Sequence, residues 1–275
     1  MALSMRWRDA TPLEVRLNGL CPDRLATLTP PAIAALPALI GNATAHFGDL
    51  FQVDGDASDG VVRLEGNLSH VLELGKGMAS GRLEIMGNVG SYLGAEMSGG
   101  LIEVRGDVAD WAGVELRGGR ITIHGNCGDW MGAAYPGERL GMRAGEILVH
   151  GNVGANAGVA LRRGLIAISG SVGDGAGRGM VAGSLFVNQK LGPGAGLGMK
   201  RGTIAWLASQ GDVESHLLPT FLPAGLGQYP FVGIYLKHLE QRGFPVPEQA
   251  RIRTFARYNG DVAQGGRGEI LVAAS

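Results

Sequence analysis

Apolar positions along this chain fall into short alternating runs that recur at one spacing. The segments GRLEIMG (81–87), GLIEVRG (100–106), GRITIHG (119–125), GEILVHG (145–151), GLIAISG (164–170), GSLFVNQ (183–189) and GTIAWLA (202–208) align without internal gaps. Their first glycines lie 19 residues apart, except for one step of 26 between Gly119 and Gly145. An earlier unit, GVVRLEG (60–66), starts 21 residues before Gly81. The third and fifth positions are aliphatic (Leu83 and Ile85, Ile102 and Val104, Ile121 and Ile123), a period of two that marks a strand with one buried face. Three residues before the heptads stand Met78, Met97, Leu116, Met142, Leu161, Met180 and Met199, which read as thioethers filling an irregular interior.

Most heptads close with a glycine followed by Asn67, Asn88, Asp107, Asn126, Asn152 or Ser171. Glycine supplies left-handed backbone at a corner, and these side chains bond the turn or their equivalents in neighbouring units. A further apolar column, Val89, Val108, Cys127, Val153, Val172 and Leu191, makes Cys127 a small core residue rather than a nucleophile. The pattern predicts an all-β fold: a right-handed parallel β-solenoid of about eight coils of 19 residues, with an N-terminal cap and a C-terminal extension containing a helix. Nineteen residues at about 3.3 Å give each coil a perimeter of roughly 63 Å at most, enough for three short strands and three corners.

The predicted organisation is a cap segment over 1–59, the repeat over 60–209, and an extension over 210–275 packing on the solenoid. VRLNGL (15–20) and GDLFQVDGD (48–56) read as strands, and TPPAIAALPALIG (29–41) as a short helical or extended piece. PFVGIYLKHLEQRG (230–243) has helical spacing, a basic stretch holds Arg251, Arg253 and Arg257, and GGRGEILVAA (265–274) reads as a last strand. The outward column turns apolar along the chain, from Glu84, Glu103 and Thr122 to Leu148, Ala167, Phe186 and Ala205. Such a stripe is covered by the C-terminal helix or by another protein chain.

Composition excludes several classes. Glycine supplies 48 of 275 residues, but not at every third position, so the chain is not collagen. With 45% hydrophobic and 18% charged residues it is not disordered, and a net charge of −1 leaves no footprint for nucleic acid. The apolar run near Ile33–Ile40 is short and broken by Pro37, and the charged first twenty residues hold no signal-peptide core. Two cysteines, Cys21 and Cys127, without a CxxC pair fit a reducing cytoplasm.

Candidate chemistry is sparse. Arg105, His124 and His150 stack outward in consecutive coils, but a metal needs three or four ligands and no third ligand column exists. Tyr92, Trp111 and Trp130 recur near Asp110 and Asp129, an arrangement that suits either packing or a carbohydrate-active β-helix enzyme. No nucleophile elbow, zinc-protease or phosphate-loop motif is present. No catalytic, cofactor-binding or metal residue is therefore assigned. The extra seven residues of the long step fall near AAYPGERL (133–140), a natural place for a partner or ligand. Partner contact is expected at Tyr135 and Arg139 there, and at Phe186 in the apolar stripe.

The unit GRLEIMGNVGSYLGAEMSGG (81–100) resembles a repeat shared by the C-terminal domain of glutamate synthase and the repeat-bearing subunit of the formylmethanofuran dehydrogenase family. LPALIGNATAHFGDLFQVDGD (36–56) is similar to the segment preceding the repeat in the latter, and the resemblance covers roughly residues 10–208. It implies either a tungsten- or molybdenum-dependent archaeal complex or the bacterial formyltransferase/hydrolase complex. That bacterial complex takes formyl-tetrahydromethanopterin, through a formylmethanofuran-type intermediate, to formate in formaldehyde oxidation. Only four of the 24 basic residues are lysines, as in proteins from GC-rich bacterial genomes, which favours the bacterial complex. The resemblance implies a non-catalytic structural subunit partnered by formyltransferase, amidohydrolase-like and molybdopterin-enzyme-like subunits. The methanofuran-type carrier, tetrahydromethanopterin and zinc are then handled by the complex, with zinc in another of its chains and no cofactor in this one.

Overall fold

The structure, a computed structural model, describes residues 2–8, 12–17, 19–208, 213, 216–252 and 254–274. The expected boundary at 209/210 and Arg253 of the basic stretch lie outside the described residues. The chain opens with β1 (Leu3–Trp7), β2 (Val15–Arg16), one-turn helices α1 (Pro22–Leu25) and α2 (Pro30–Ala34), β3 (Pro37–Ile40), β4 (Ala43–His46), α3 (Phe47–Leu50) and β5 (Phe51–Asp54). The repeat then supplies β6 (Val61–Glu65), β7 (Val71–Leu72), β8 (Arg82–Met86), β9 (Leu101–Val104), β10 (Arg120–Ile123), β11 (Glu146–Val149), β12 (Leu165–Ile168), β13 (Ser184–Val187) and β14 (Gly202–Trp206). β15 (Leu222–Gln228), α4 (Pro230–Gln241), α5 (Glu248–Arg251), β16 (Thr254–Gly260) and β17 (Gly268–Ala273) follow.

These elements correct the expected all-β right-handed parallel β-solenoid. The strands form one mixed sheet of thirteen, in the order β15-β16-β17-β14-β13-β12-β11-β10-β9-β8-β6-β1-β5, and a second sheet of four, β4-β3-β2-β7. Pairing in the large sheet is parallel from β1 to β17 but antiparallel at β1–β5, β16–β17 and β15–β16. Among the described residues no closed coil of three strands is present, and backbone conformation explains why. Each unit contributes one strand of four or five residues to the large sheet. Its second apolar column reaches the next unit by single-residue parallel bridges, such as Val89 to Val108 and Val108 to Cys127. The remaining stretch enters the left-handed region at alternate positions, with φ of 66° at Tyr92, 61° at Gly94 and 57° at Glu96, so it cannot run as a strand.

The 19-residue register itself is kept: Ile102 faces Leu83 on one side and Ile121 on the other, and Ile121 faces Ile147 across the longer step. Met78, Met97, Met142, Met180 and Met199 are all fully buried beside these aliphatics. Burial of each such side chain contributes roughly 1.5–3 kcal/mol relative to exposure. Gly94 is dictated twice over, by its φ and because a Cβ there would stand 2.6 Å from Ile121 Cδ1. The corner side chains do not mainly bond one another. Asn88, Asp107, Asn126 and Asn152 each use Oδ1 to accept the backbone N–H of the following unit, at 2.7–2.9 Å. Each corner thereby satisfies a backbone donor one layer away, which fixes the stacking distance.

The apolar stripe of Leu148, Ala167, Phe186 and Ala205 lies beneath α4. Pro230 starts that helix at a position where its missing N–H costs nothing, and Gly243, at φ 75°, follows its end. Val232, Leu236 and Leu239 recur at helical spacing and face the sheet, with the Tyr235 ring 5.4 Å from Phe186. No described helix is long and apolar enough to cross a membrane.

Candidate functional site

The long step of the repeat places a distinct surface on the turn face. Tyr92, Trp111 and Trp130 occupy equivalent positions with φ of 66°, 65° and 62°, a conformation that costs a residue other than glycine about 1 kcal/mol. One unit earlier the same position holds Glu73 at φ 62°, and in later units Asn156 at 61°, Gly175 and Gly194, so the left-handed turn is kept throughout and a ring is displayed on it only in the three middle units. The rings stack, Tyr92 to Trp111 at 6.1 Å and 13°, Trp111 to Trp130 at 5.0 Å and 5°. The insertion folds back over them: Tyr135 stacks 6.3 Å from Tyr92 and 6.5 Å from Trp111. Each such pair is worth about 0.5–1.5 kcal/mol beyond the area it buries.

Beside the rings runs a column of carboxylates that sequence inspection missed. Glu96 and Glu115 immediately precede the buried Met97 and Leu116, and that 19-residue recurrence was the available signal. Glu73 pairs with Lys76 at 2.6 Å, Glu96 with Arg117 at 3.1 Å, and the buried Glu115 with Arg143 at 3.3 Å. Arg16, Glu73, Lys76, Tyr92, Glu96 and Tyr135 border a recess of about 330 Å³. Burial, then the charges of Glu96, Glu73 and Glu115, push the Tyr135 phenol up to about 12. It therefore stays protonated at neutral pH, a hydrogen-bond donor and not a base.

The other expected residues separate. Arg139 is exposed on the insertion. Phe186 is fully buried under α4, so the expected partner contact at Phe186 is corrected: the helix already occupies the face it would offer. Asp110 accepts the N–H of Asp129 at 2.8 Å and Asp129 that of Ala155 at 2.7 Å, so both carboxylates are committed to joining units. Burial raises the Cys127 thiol to about 12 and the Cys21 thiol to about 11, which keeps both protonated.

His124 and His150 do stack, at 5.0 Å and 11°. His124 Nε2 lies 3.1 Å from Glu103, and Phe244 covers the other side of His150 at 5.9 Å. Among the described residues no group of three His, Cys, Asp or Glu is placed to hold a metal. Burial would raise the Glu103 carboxyl, but the His124 hydrogen bond with Arg82 and Arg105 outweighs it and holds Glu103 below its ordinary value.

Fold and faces together define a repeat-built β-sheet protein that displays aromatic and charged side chains in columns. No protein-family model and no curated protein matches the chain. In the X-ray crystal structure of the formyltransferase/hydrolase complex (FhcABCD) from Methylorubrum extorquens in complex with methylofuran, a similar chain superposes with a TM-score of 0.89 at 31% identity. The match covers 99% of this chain and 100% of that one. The chain belongs to the family of formyltransferase/hydrolase complex subunits.

Proposed function

We propose that the chain is the repeat-bearing, non-catalytic structural subunit of a cytoplasmic formyltransferase/hydrolase complex. The complex converts formyl-tetrahydromethanopterin, via a formylmethanofuran-type intermediate, to formate. The observation that carries this reading is the end-to-end match to a chain of such a complex. The side-chain chemistry supports the non-catalytic part. Asp110 and Asp129 bond backbone, both thiols stay protonated, and Glu73, Glu96 and Glu115 each pair with a cation. Formyltransferase, amidohydrolase-like and molybdopterin-enzyme-like chains are the proposed partners, and the carrier, tetrahydromethanopterin and zinc belong to their sites. The aromatic face with Tyr135 and Arg139 is the proposed contact.

Purification from the native host, with mass spectrometry of the intact assembly, tests the reading. It should return this chain together with those three partners, and the isolated chain should turn over neither formyl transfer nor hydrolysis. A lone monomer, or turnover by the chain alone, refutes it.

A further inference from the structure

The glutamate column ends at Glu115, but the cations beside it continue. In successive units the residue before the buried Met or Leu is Glu96, Glu115, Gly141, Ala160, Gly179 and Gly198. The residue after it is Arg117, Arg143, Arg162, Val181 and Lys200 in the units from Leu116 on. Arg117 and Arg143 have carboxylate partners. Arg162 and Lys200 face positions where the carboxylate has been replaced by alanine or glycine.

Strand register adds a second row. Leu165, Ser184, Thr203 and Glu269 stand side by side across β12, β13, β14 and β17. Two residues earlier in each strand's approach are Arg163, Ala182, Arg201 and Arg267, so the fourth layer is completed by a residue from far outside the repeat. Small side chains in the second layer, Val181 and Ala182, leave a gap between the flanking cations. The result is a cleft of about 580 Å³ bordered by Arg162, Arg163, Lys200, Arg201 and Arg267, with no carboxylate in its lining. All five cations are exposed, and among the described residues none has an ion-pair partner.

We propose that this cleft is a binding site for an extended acidic peptide segment of a partner polypeptide. Five like charges held together without counter-charge create a positive potential that only an incoming anion relieves. Arginine forks match carboxylates in bidentate geometry. From the Arg163 layer to the Arg267 layer is three strand steps, about 14 Å, longer than a compact diphosphate and matched by an extended peptide of four or five residues. The apolar floor of Val181 and Ala182 suits the methylenes of acidic side chains, which polyphosphate lacks. Nothing in the cleft depends on which member of the complex the chain is.

Fluorescence anisotropy of a labelled synthetic peptide alternating Glu and Ala, titrated with the full chain, tests the site. Saturable binding is expected, weakened by salt and by about tenfold or more in the Arg163→Glu/Arg201→Glu variant. Arg6→Glu, at the opposite end of the sheet, should leave it unchanged. If the charge reversal lowers the melting temperature, Arg163→Gln/Arg201→Gln gives the same comparison. Absence of saturable binding, or binding indifferent to these substitutions, overturns the site. Displacement by tripolyphosphate at lower concentration than by unlabelled peptide overturns the peptide as its occupant.

Discussion

His238 Nε2 on α4 and Glu146 Oε1 on β11 are in hydrogen-bond contact, tying the helix to the sheet at the margin of its apolar footing. Arg242 Nε stands 3.7 Å from the other Glu146 oxygen. Both partners are partly open to water, so Glu146→Gln should lower stability by at most about 1 kcal/mol. Phe186→Ala, which empties a fully buried site beneath the same helix, should lower it by about 3–5 kcal/mol. Urea denaturation of the two variants checks that ranking, and a larger loss from Glu146→Gln would make the ion pair, not the packing, the anchor of α4.

Stability should fall with acid in two stages. Burial and then the neighbouring His124 hold His150 below its ordinary value of 6.5, so the fold favours its neutral form. The unfolded chain therefore binds a proton first, and stability declines as pH falls from 6.5 to the lower folded value, below which that loss is complete. Glu103, held below its ordinary 4.5, contributes stability that is present above 4.5 and is lost as pH falls through its folded value. Melting curves of His150→Gln should lose the first stage and keep the second; a first stage that persists assigns it elsewhere.

Tyr135 holds the insertion against the ring stack but lies outside the layered core. Tyr135→Ala should weaken association with partner subunits several-fold and reduce stability by about 1–3 kcal/mol, the worth of two stacking contacts. Tyr135→Phe keeps the stacking and should assemble as the parent does. Size-exclusion chromatography of reconstituted mixtures gives the comparison, and normal assembly of Tyr135→Ala removes this face as a contact.

Asp110 serves as an acceptor for a backbone N–H. Asp110→Asn retains an oxygen in place and should change stability by less than about 0.5 kcal/mol, whereas Asp110→Ala strands the Asp129 N–H at about 1–2 kcal/mol. Equal losses in thermal unfolding would mean that the charge matters more than the hydrogen bond.

The periodic core was legible because identical columns must bury identical faces: Leu83, Ile102 and Ile121 sit where the 19-residue spacing put them. Strands β2, β5 and β17 and helix α4 were legible for similar local reasons. That the expected coil does not close was not legible, since the conformation of Tyr92 and Glu96 is left-handed in spite of their side chains, and no local preference announces that. Stacking of Tyr92, Trp111 and Trp130 followed from spacing, but the return of Tyr135 onto them depends on how the insertion folds. Phe186 was ambiguous because an apolar outward residue reads the same whether a helix or a partner covers it. The basic cleft escaped notice because Arg267 joins Arg201 only through the parallel pairing of β14 with β17.

The antiparallel strands at the two ends of the large sheet carry a consequence for growth. Equal parallel layers have no inherent length, and one such stack is a template on which a second copy adds in register, head to tail, without limit. β5 reverses direction at one end, and β16 and β15 reverse twice at the other, so neither terminus repeats the layer it follows. Neither end therefore offers a second copy the repeat's own edge strand, and stacking in the 19-residue register is interrupted at both termini of the sheet.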